Sequence, residues 1–227
     1  MEHELQKTFV EDMGHMLTEH NKAAVIESFK GFTRFMMMYS CAIKEVRTKF
    51  EVLNDELSVT NKRNPIQMIK SRIKKPESII GKLERRGFEL TMASILENIN
   101  DVAGVRIICA FINDIYDVAE MFASQDDIRV LEVKDYIKNP KPNGYRSYHM
   151  IVEVPVFFTN RKQYMKVEVQ LRTIAMDFWA SLEHSMKYKK DIANAEQVMA
   201  ELKECADSIA ATDLQMQKIN DSINGNG

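Results

Sequence analysis

The chain has 227 residues, enough for one large domain or for a compact domain with appendages. It is 45% hydrophobic and 28% charged, ordinary for a globular protein, and no apolar run approaches the ~20 residues needed to cross a bilayer. The net charge of −2 gives no global pull toward nucleic acid or membrane, so any anion site has to be a local patch.

The N-terminal MEHELQKTFVEDMGH is too acidic and polar for a signal peptide. Three widely spaced cysteines without a CxxC pair, and five scattered histidines, argue against a disulfide framework or a zinc site and for a reducing, cytoplasmic setting. From Val25 the apolar positions run Val25, Phe29, Phe32, Met36, Tyr39, Ile43, Val46, Phe50, Leu53, Leu57, a heptad stripe that predicts a long helix. Gly31 is a point where it could bend. IQMIKSRI reads as a short strand. A helix follows from Pro76 through SIIGKLERR to a stop at Gly87.

ASILENI reads as a short helix, and AGVRIICAFI as a central strand. Asn113 is expected to cap a helix over DIYDVAEMFAS. IRVLEVKDYI, YHMIVEVPV and YMKVEVQL give three more strands, and TIAMDFWASLEHSMKYK a helix capped by Thr173. A last helix, 194–223, carries Val198, Leu202, Cys205, Ile209, Thr212, Met216, Ile219 and Ile223 in steps of four and three, before a tail NGNG expected to be disordered. The sum is an α+β chain, with a mixed sheet of about five strands flanked by helices and long helices at both ends. It divides into an N-terminal helical segment, 1–61, a mixed domain, 62–190, and a C-terminal helix, 191–227. The two heptad stripes either pack within one subunit or make subunit contacts.

Basic charge is concentrated in 62–86, where nine Lys/Arg (Lys62, Arg63, Lys70, Arg72, Lys74, Lys75, Lys82, Arg85, Arg86) face only Glu77 and Glu84. Arg72 and Lys74 share one face of an extended segment, and Ser78, Lys82 and Arg85 share one face of a helix. Such an array suits the phosphates of one nucleotide, against the plainer reading of a solvated basic face. The stretch KDYIKNPKPNGYRSYH, 134–149, adds cations and tyrosines on a backbone fixed by Pro140, Pro142 and Gly144, a combination suited to phosphate and to base stacking. Asp101 precedes one strand and Glu168 lies within another, on the face that also carries Lys166 and Gln170. Two carboxylates beside a polyphosphate are the usual holders of Mg²⁺. Arg106, with its planar guanidinium, can stack on a base or fork a phosphate. Trp179 and the methionines read as packing, and Glu183 and His184 as supporting or surface groups.

In this order and spacing, DVAGVRI, KDYIKNPKPNGYRSYH and VEVQLRTIAMDFWASLEH, with the basic RIKKPESIIGKLERR, resemble the synthetase domain of RelA/SpoT-type alarmone synthetases. The resemblance covers about residues 65 to 190. Without room for further catalytic or regulatory domains, the chain is similar to the stand-alone small synthetases, and its AMDFWASLEH form to their RelP-like branch. The resemblance implies a nucleotidyltransferase-like fold and transfer of the β,γ-diphosphate of ATP to the 3′-hydroxyl of GTP or GDP, giving (p)ppGpp and AMP. It implies Asp101 and Glu168 as Mg²⁺ holders, with Glu168 also a candidate for deprotonating the hydroxyl. On the donor side it implies Arg72 and Arg106 around adenine, with Lys74, Ser78, Lys82 and Arg85 on the phosphates. On the acceptor side it implies Tyr145 under guanine, Lys134, Lys141, His149 and Gln170 nearby, and Asp177 reading the base. It also implies a homo-oligomer, a tetramer. A competing reading is a catalytically silent nucleotide- or RNA-binding regulatory module, but the net charge does not indicate RNA and a pure binder has no use for the carboxylate pair.

Overall fold

The computed structural model describes residues 19–60, 63–187 and 194–224. The chain divides into two compact units, Met1–Met38 and Tyr39–Gly227. The described part of the first is the leading stretch of helix α1 (Glu19–Thr60), which runs without a break through Gly31. The expectations for residues 1–18, for Lys62 and for the last three residues of the NGNG tail lie outside the described residues.

The second unit follows the predicted elements closely. Its order is the rest of α1, β1 (Ile66–Ile73), α2 (Pro76–Arg86), α3 (Met92–Asn98), β2 (Ala103–Cys109), α4 (Ile112–Ala123), β3 (Arg129–Asp135), β4 (Tyr148–Phe158), β5 (Arg161–Thr173), α5 (Ile174–Lys187) and α6 (Ala195–Asn224). Helix α2 starts where Pro76 has no N–H to lose and ends where Gly87 turns left-handed at φ 68°. Thr91 caps α3 by accepting from Ser94 N, and Thr173 caps α5 by accepting from Met176 N at 3.1 Å.

One cap differs from expectation. Helix α4 begins at Ile112, so Asn113 lies inside it. The exposed N–H of Phe111 is met instead by the Asp114 carboxylate at 3.1 Å, which also takes a two-pronged bond from Arg63 at 2.7 and 2.8 Å. The Asn113 N–H, one of the unpartnered donors of a first turn, is met by Gln217 of α6.

The sheet order is β1-β2-β5-β4-β3. Only the β2–β5 pair is parallel. Alternation along the strands separates two faces. Val105, Ile107, Val167, Val169 and Leu171 are buried on one, and helix α4 brings Ile115, Val118 and Phe122 to the core. Phe50 of α1 stacks on Phe122 with centroids 4.3 Å apart. From Tyr39 onward the α1 stripe is thus buried within its own subunit, at Tyr39, Ile43, Val46, Phe50 and Leu57. Among the described residues no helix is long and apolar enough to cross a membrane.

The other face carries the polar residues. Strand register aligns Lys70, Arg106, Gln170, His149 and Lys134 in one row across all five strands, and Arg72, Gly104 and Glu168 in the next. Directly opposed residues share a face, so the fold delivers residues up to 100 positions apart in sequence, 70 to 170, to one surface.

Candidate active site

The polar face floors a cavity of about 580 Å³, walled by the 141–145 loop and by α5. Among the expected residues, Arg72, Asp101, Arg106, Lys141, Tyr145, His149, Glu168 and Gln170 line it. Glu183 and His184 line it too, as do three residues that sequence reasoning passed over, Asn143, Ser181 and Arg172. Arg172 had a signal: it continues the alternation of Lys166, Glu168 and Gln170 by one step.

On the donor side, Arg72 lies across Gly104, its side chain within 3.5 Å of where a β-carbon would stand. The Arg106 Nε is buried with no hydrogen-bond partner among the described residues. A buried donor left unmet is costly. Lys74 and Lys82 reach the site through Asp101, whose two oxygens accept from them at 2.7 and 2.8 Å. Burial alone would push the Asp101 carboxyl up; the bonds from Lys74 and Lys82 outweigh it and hold it below the ordinary carboxylate value. Ser78 and Arg85 sit on the exposed side of α2 and do not line the cavity.

On the acceptor side, Tyr145 carries Lys141 and Arg172 over its ring at 5.0 and 5.1 Å, with Tyr136 edge-on at 6.0 Å. The loop is held by Gly144, in a left-handed turn packed on Ala206 of α6, and by Arg146, which donates to Gly144 O and to Ala206 O. Asn143 fixes the next turn by accepting from Tyr145 N, and donates to Glu183 at 3.0 Å. Lys134 stays outside the lining and pairs with Glu132 at 3.0 Å.

Glu168 is half-buried between the halves. One oxygen meets His149 Nδ1 at 3.3 Å and the other accepts from Gln170 at 2.8 Å. Burial would raise its pKa, but these bonds prevail and keep it below the usual carboxylate range. Burial lowers the pKa of His149, against the pull of Glu168, so the ring is neutral at neutral pH.

Asp177 is buried and does not line the cavity. Its carboxylate accepts from Arg106 at 2.9 Å, Arg172 at 3.1 Å and Lys70 at 3.4 Å. Three cations surround the group expected to read a base.

Two hard carboxylates in one cavity suit Mg²⁺, which commonly takes one or two carboxylates and completes its shell with water and substrate phosphate. Among the described residues no cluster of three or more His, Cys, Asp or Glu forms a self-sufficient metal cage. A second cavity, of about 300 Å³, lies behind Gly144 and Arg146 against α6. Its wall is mostly apolar, with Trp179, Ile209 and Leu214, and Arg146 is its one Lys/Arg, so it does not suit a polyphosphate.

The arrangement matches known proteins. A family profile described as a region found in RelA / SpoT proteins covers residues 71–193. The chain belongs to the RelA/SpoT family. It is 47% identical over 188 residues to the GTP pyrophosphokinase YwaC of Bacillus subtilis, covering 83% of this chain and 90% of that one. Small alarmone synthetase 1 from Bacillus subtilis, bound to its product pppGpp, superposes with a TM-score of 0.79 at 33% identity, covering 86% of this chain and 98% of that one. The same relative bound to AMPCPP gives 0.72 at 30% identity, with 86% and 99% covered. RelA/SpoT small synthetases thus share this mixed five-stranded sheet and its helices.

Proposed function

We propose that this RelA/SpoT protein is a (p)ppGpp synthetase, a GTP pyrophosphokinase that moves the β,γ-diphosphate of ATP onto the 3′-hydroxyl of GTP or GDP and releases AMP. The observation that carries this reading is one cavity with Asp101 and Glu168 set between a guanidinium-lined half and a tyrosine–histidine half. It is supported by a relative named for that activity and by another seen both with pppGpp and with AMPCPP bound.

The donor adenine lies between Arg72 and Arg106, whose planar guanidinium groups suit stacking on a base. The polyphosphate gives Lys74 and Lys82 a second anion to bind and so releases the Asp101 carboxylate, while Ser78 and Arg85, outside the cavity lining, are reached only by phosphate oxygens that extend beyond it toward α2. Asp101 and Glu168 would hold Mg²⁺, which supplies neutralisation of phosphate charge when bound. Guanine stacks on Tyr145. Lys141, His149 and Gln170 meet the ribose and acceptor phosphates, with Lys134 at the rim. In the reaction the O3′–Pβ bond forms, the bond from Pβ to the α-phosphate oxygen breaks, AMP leaves with that oxygen, and the hydroxyl proton passes to solvent water. Such transfers depend on alignment and charge neutralisation more than on covalent help. Both Glu168 oxygens are already engaged, by His149 and Gln170, which suits holding rather than abstraction. Asp177, ringed by cations, acts as a clamp for Arg106 and Arg172 instead of a base reader.

The enzyme works as a cytoplasmic homotetramer on this reading. Helix α5 exposes Ile174, Phe178, Leu182 and Met186 at four-residue steps, and α6 exposes Met216, Ile219 and Ile223, apolar surface of the kind a partner subunit covers. Light scattering should give four chains per particle.

The test is label transfer. With γ-labelled ATP, Mg²⁺ and GDP or GTP, the label should appear on the guanine nucleotide. Asp101→Asn and Glu168→Gln should each abolish transfer while the folded protein still binds an ATP analogue. Transfer undiminished in both variants would sink the assignment.

A further inference from the structure

The cavity behind the acceptor loop has no part in the roles above. At about 300 Å³ it lies at the lower end of the ~300–1,000 Å³ of small-molecule sites. Ile112, Met176, Trp179, Ile209 and Leu214 give it an apolar wall, and Arg146 and Asp213 are the two charged residues in that wall.

The two charges differ in how they are met. Arg146 is satisfied: Nη1 donates to Gly144 O at 3.0 Å and to Ala206 O at 3.3 Å, and Nη2 donates to the Asp207 carboxylate at 3.2 Å. Asp213 is not. It is 7% exposed, and among the described residues its one bond comes from the Thr173 hydroxyl to Oδ2 at 2.6 Å. No described cation pairs with it; burial pushes its carboxyl up and Thr173 alone pulls the other way. A buried carboxylate without a cation is costly. Thr173 does not account for the charge, since an amide oxygen would accept its proton as well. Oδ1 takes no bond from a described residue, yet it is not sealed off, and the cavity is the open space that Asp213 borders.

We propose that this cavity is an effector site for a small organic cation, a primary ammonium on a compact apolar body, with the ammonium on Asp213 Oδ1 and the body against Trp179 and Ile209. The ion pair answers the unpaired charge, and the body removes apolar wall from water. Gly144 and Arg146 stand between this cavity and the acceptor loop, so an occupant braces Tyr145 from behind and tightens guanine-nucleotide binding. That coupling rests on the proposed function; the binding of the cation does not.

Trp179 is the single tryptophan of the chain, so its fluorescence reports on the cavity without any label. The full chain is titrated with 2-phenylethylamine, with its neutral near-isostere 2-phenylethanol and with the anion 3-phenylpropionate. The amine should give a saturable change and bind about tenfold tighter than the alcohol, with the anion weakest. Asp213→Asn still accepts from Thr173 and should bring amine and alcohol within about twofold of each other. Ala210→Phe, which fills the cavity, should abolish the response. Alcohol or anion binding as tightly as the amine, an amine preference that survives in folded Asp213→Asn, or a response that persists in folded Ala210→Phe overturns the proposal. If the variants do not fold, the order of the three probes on the wild-type protein decides alone. A response that appears only on dilution marks the cavity as a seat for another subunit and also overturns it. Calorimetry then reads the coupling: saturating amine should raise GDP affinity about fivefold, and saturating GDP should raise amine affinity by the same factor. Amine binding with GDP affinity unchanged overturns the effector role. Failure to bind GDP at all would strike the proposed function and leave the amine result standing.

Discussion

Gly144 offers a quantitative test of how the C-terminal helix supports the acceptor loop. Its φ is +84°, and a β-carbon there would be driven into the Ala206 methyl, with Lys203 Cα and O both at 3.7 Å behind it. Gly144→Ala meets two separate costs. The left-handed backbone costs an L-residue about 1–2 kcal/mol. The clash is with a methyl fixed to a helix backbone, which cannot swing away, and overpacking of that kind costs about 1–3 kcal/mol. The total is about 2–5 kcal/mol, read as a lower denaturation midpoint with an unchanged slope. Ala206→Gly alone loses helix propensity and a buried methyl, about 1–2 kcal/mol. Combined, the two changes remove the clash but not the backbone strain. The double variant should therefore be more stable than the sum of the singles by about 1–3 kcal/mol. Tyr145 follows directly in the chain, so Gly144→Ala should also raise the acceptor KM by about tenfold and leave the ATP KM alone. Strict additivity, or a Gly144→Ala variant within about 0.5 kcal/mol of the parent, would refute the packing argument.

Other outcomes follow from single contacts. Asp101→Asn should lower turnover on the order of a thousandfold. Its stability should fall by only about 1 kcal/mol, because Lys74 and Lys82 are partly exposed and can turn to water; calorimetry and label transfer measure the two effects. Arg63→Met should destabilise by roughly 2 kcal/mol without changing either KM, since it strips the buried Asp114 of its two-pronged partner far from the cavity lining. Burial raises the pKa of Asp213, so the folded state holds its proton more tightly than the unfolded chain and stability is lost as pH rises through that raised value. Asp213→Asn, which can still accept from Thr173, should thus melt higher than the parent at neutral pH and lose that advantage once the pH falls below the ordinary carboxylate value.

The local parts of this fold were legible because local physics decides them. Pro76 and Gly87 mark helix ends by backbone chemistry and Thr173 by its side-chain hydroxyl, all local effects, and alternation alone puts Glu168 and Gln170 on one face. The Asn113 cap was misplaced because Asp114, one residue on, answers both the Phe111 N–H and Arg63. What depends on long-range pairing was not legible. Asp177 takes partners 71 and 107 residues away, and no spacing rule reaches that far. Helix α6 shows the same limit. Its expected stripe holds at Val198, Leu202 and Ile209, but Cys205, Met216 and Ile219 are exposed while Ala206, Asp213 and Gln217 are buried. A small residue is needed under Gly144, and the two polar ones are met by Thr173 and by the Asn113 N–H. Burial there follows hydrogen bonds and close approach, which apolar periodicity does not record. Arg172 escaped because arginine in a strand next to a helix cap reads as surface until its partners are assembled.

One cavity joins an ATP diphosphate to a guanine nucleotide on this reading. Phosphorus NMR of the intact protein with Mg²⁺, ATP and GDP or GTP follows every phosphate at once. The account predicts AMP and a 3′-diphosphorylated guanine nucleotide rising together in equal amounts, with neither free phosphate nor ADP as the main product. ATP left unchanged by folded protein, or split to ADP and phosphate with the guanine nucleotide untouched, would contradict it.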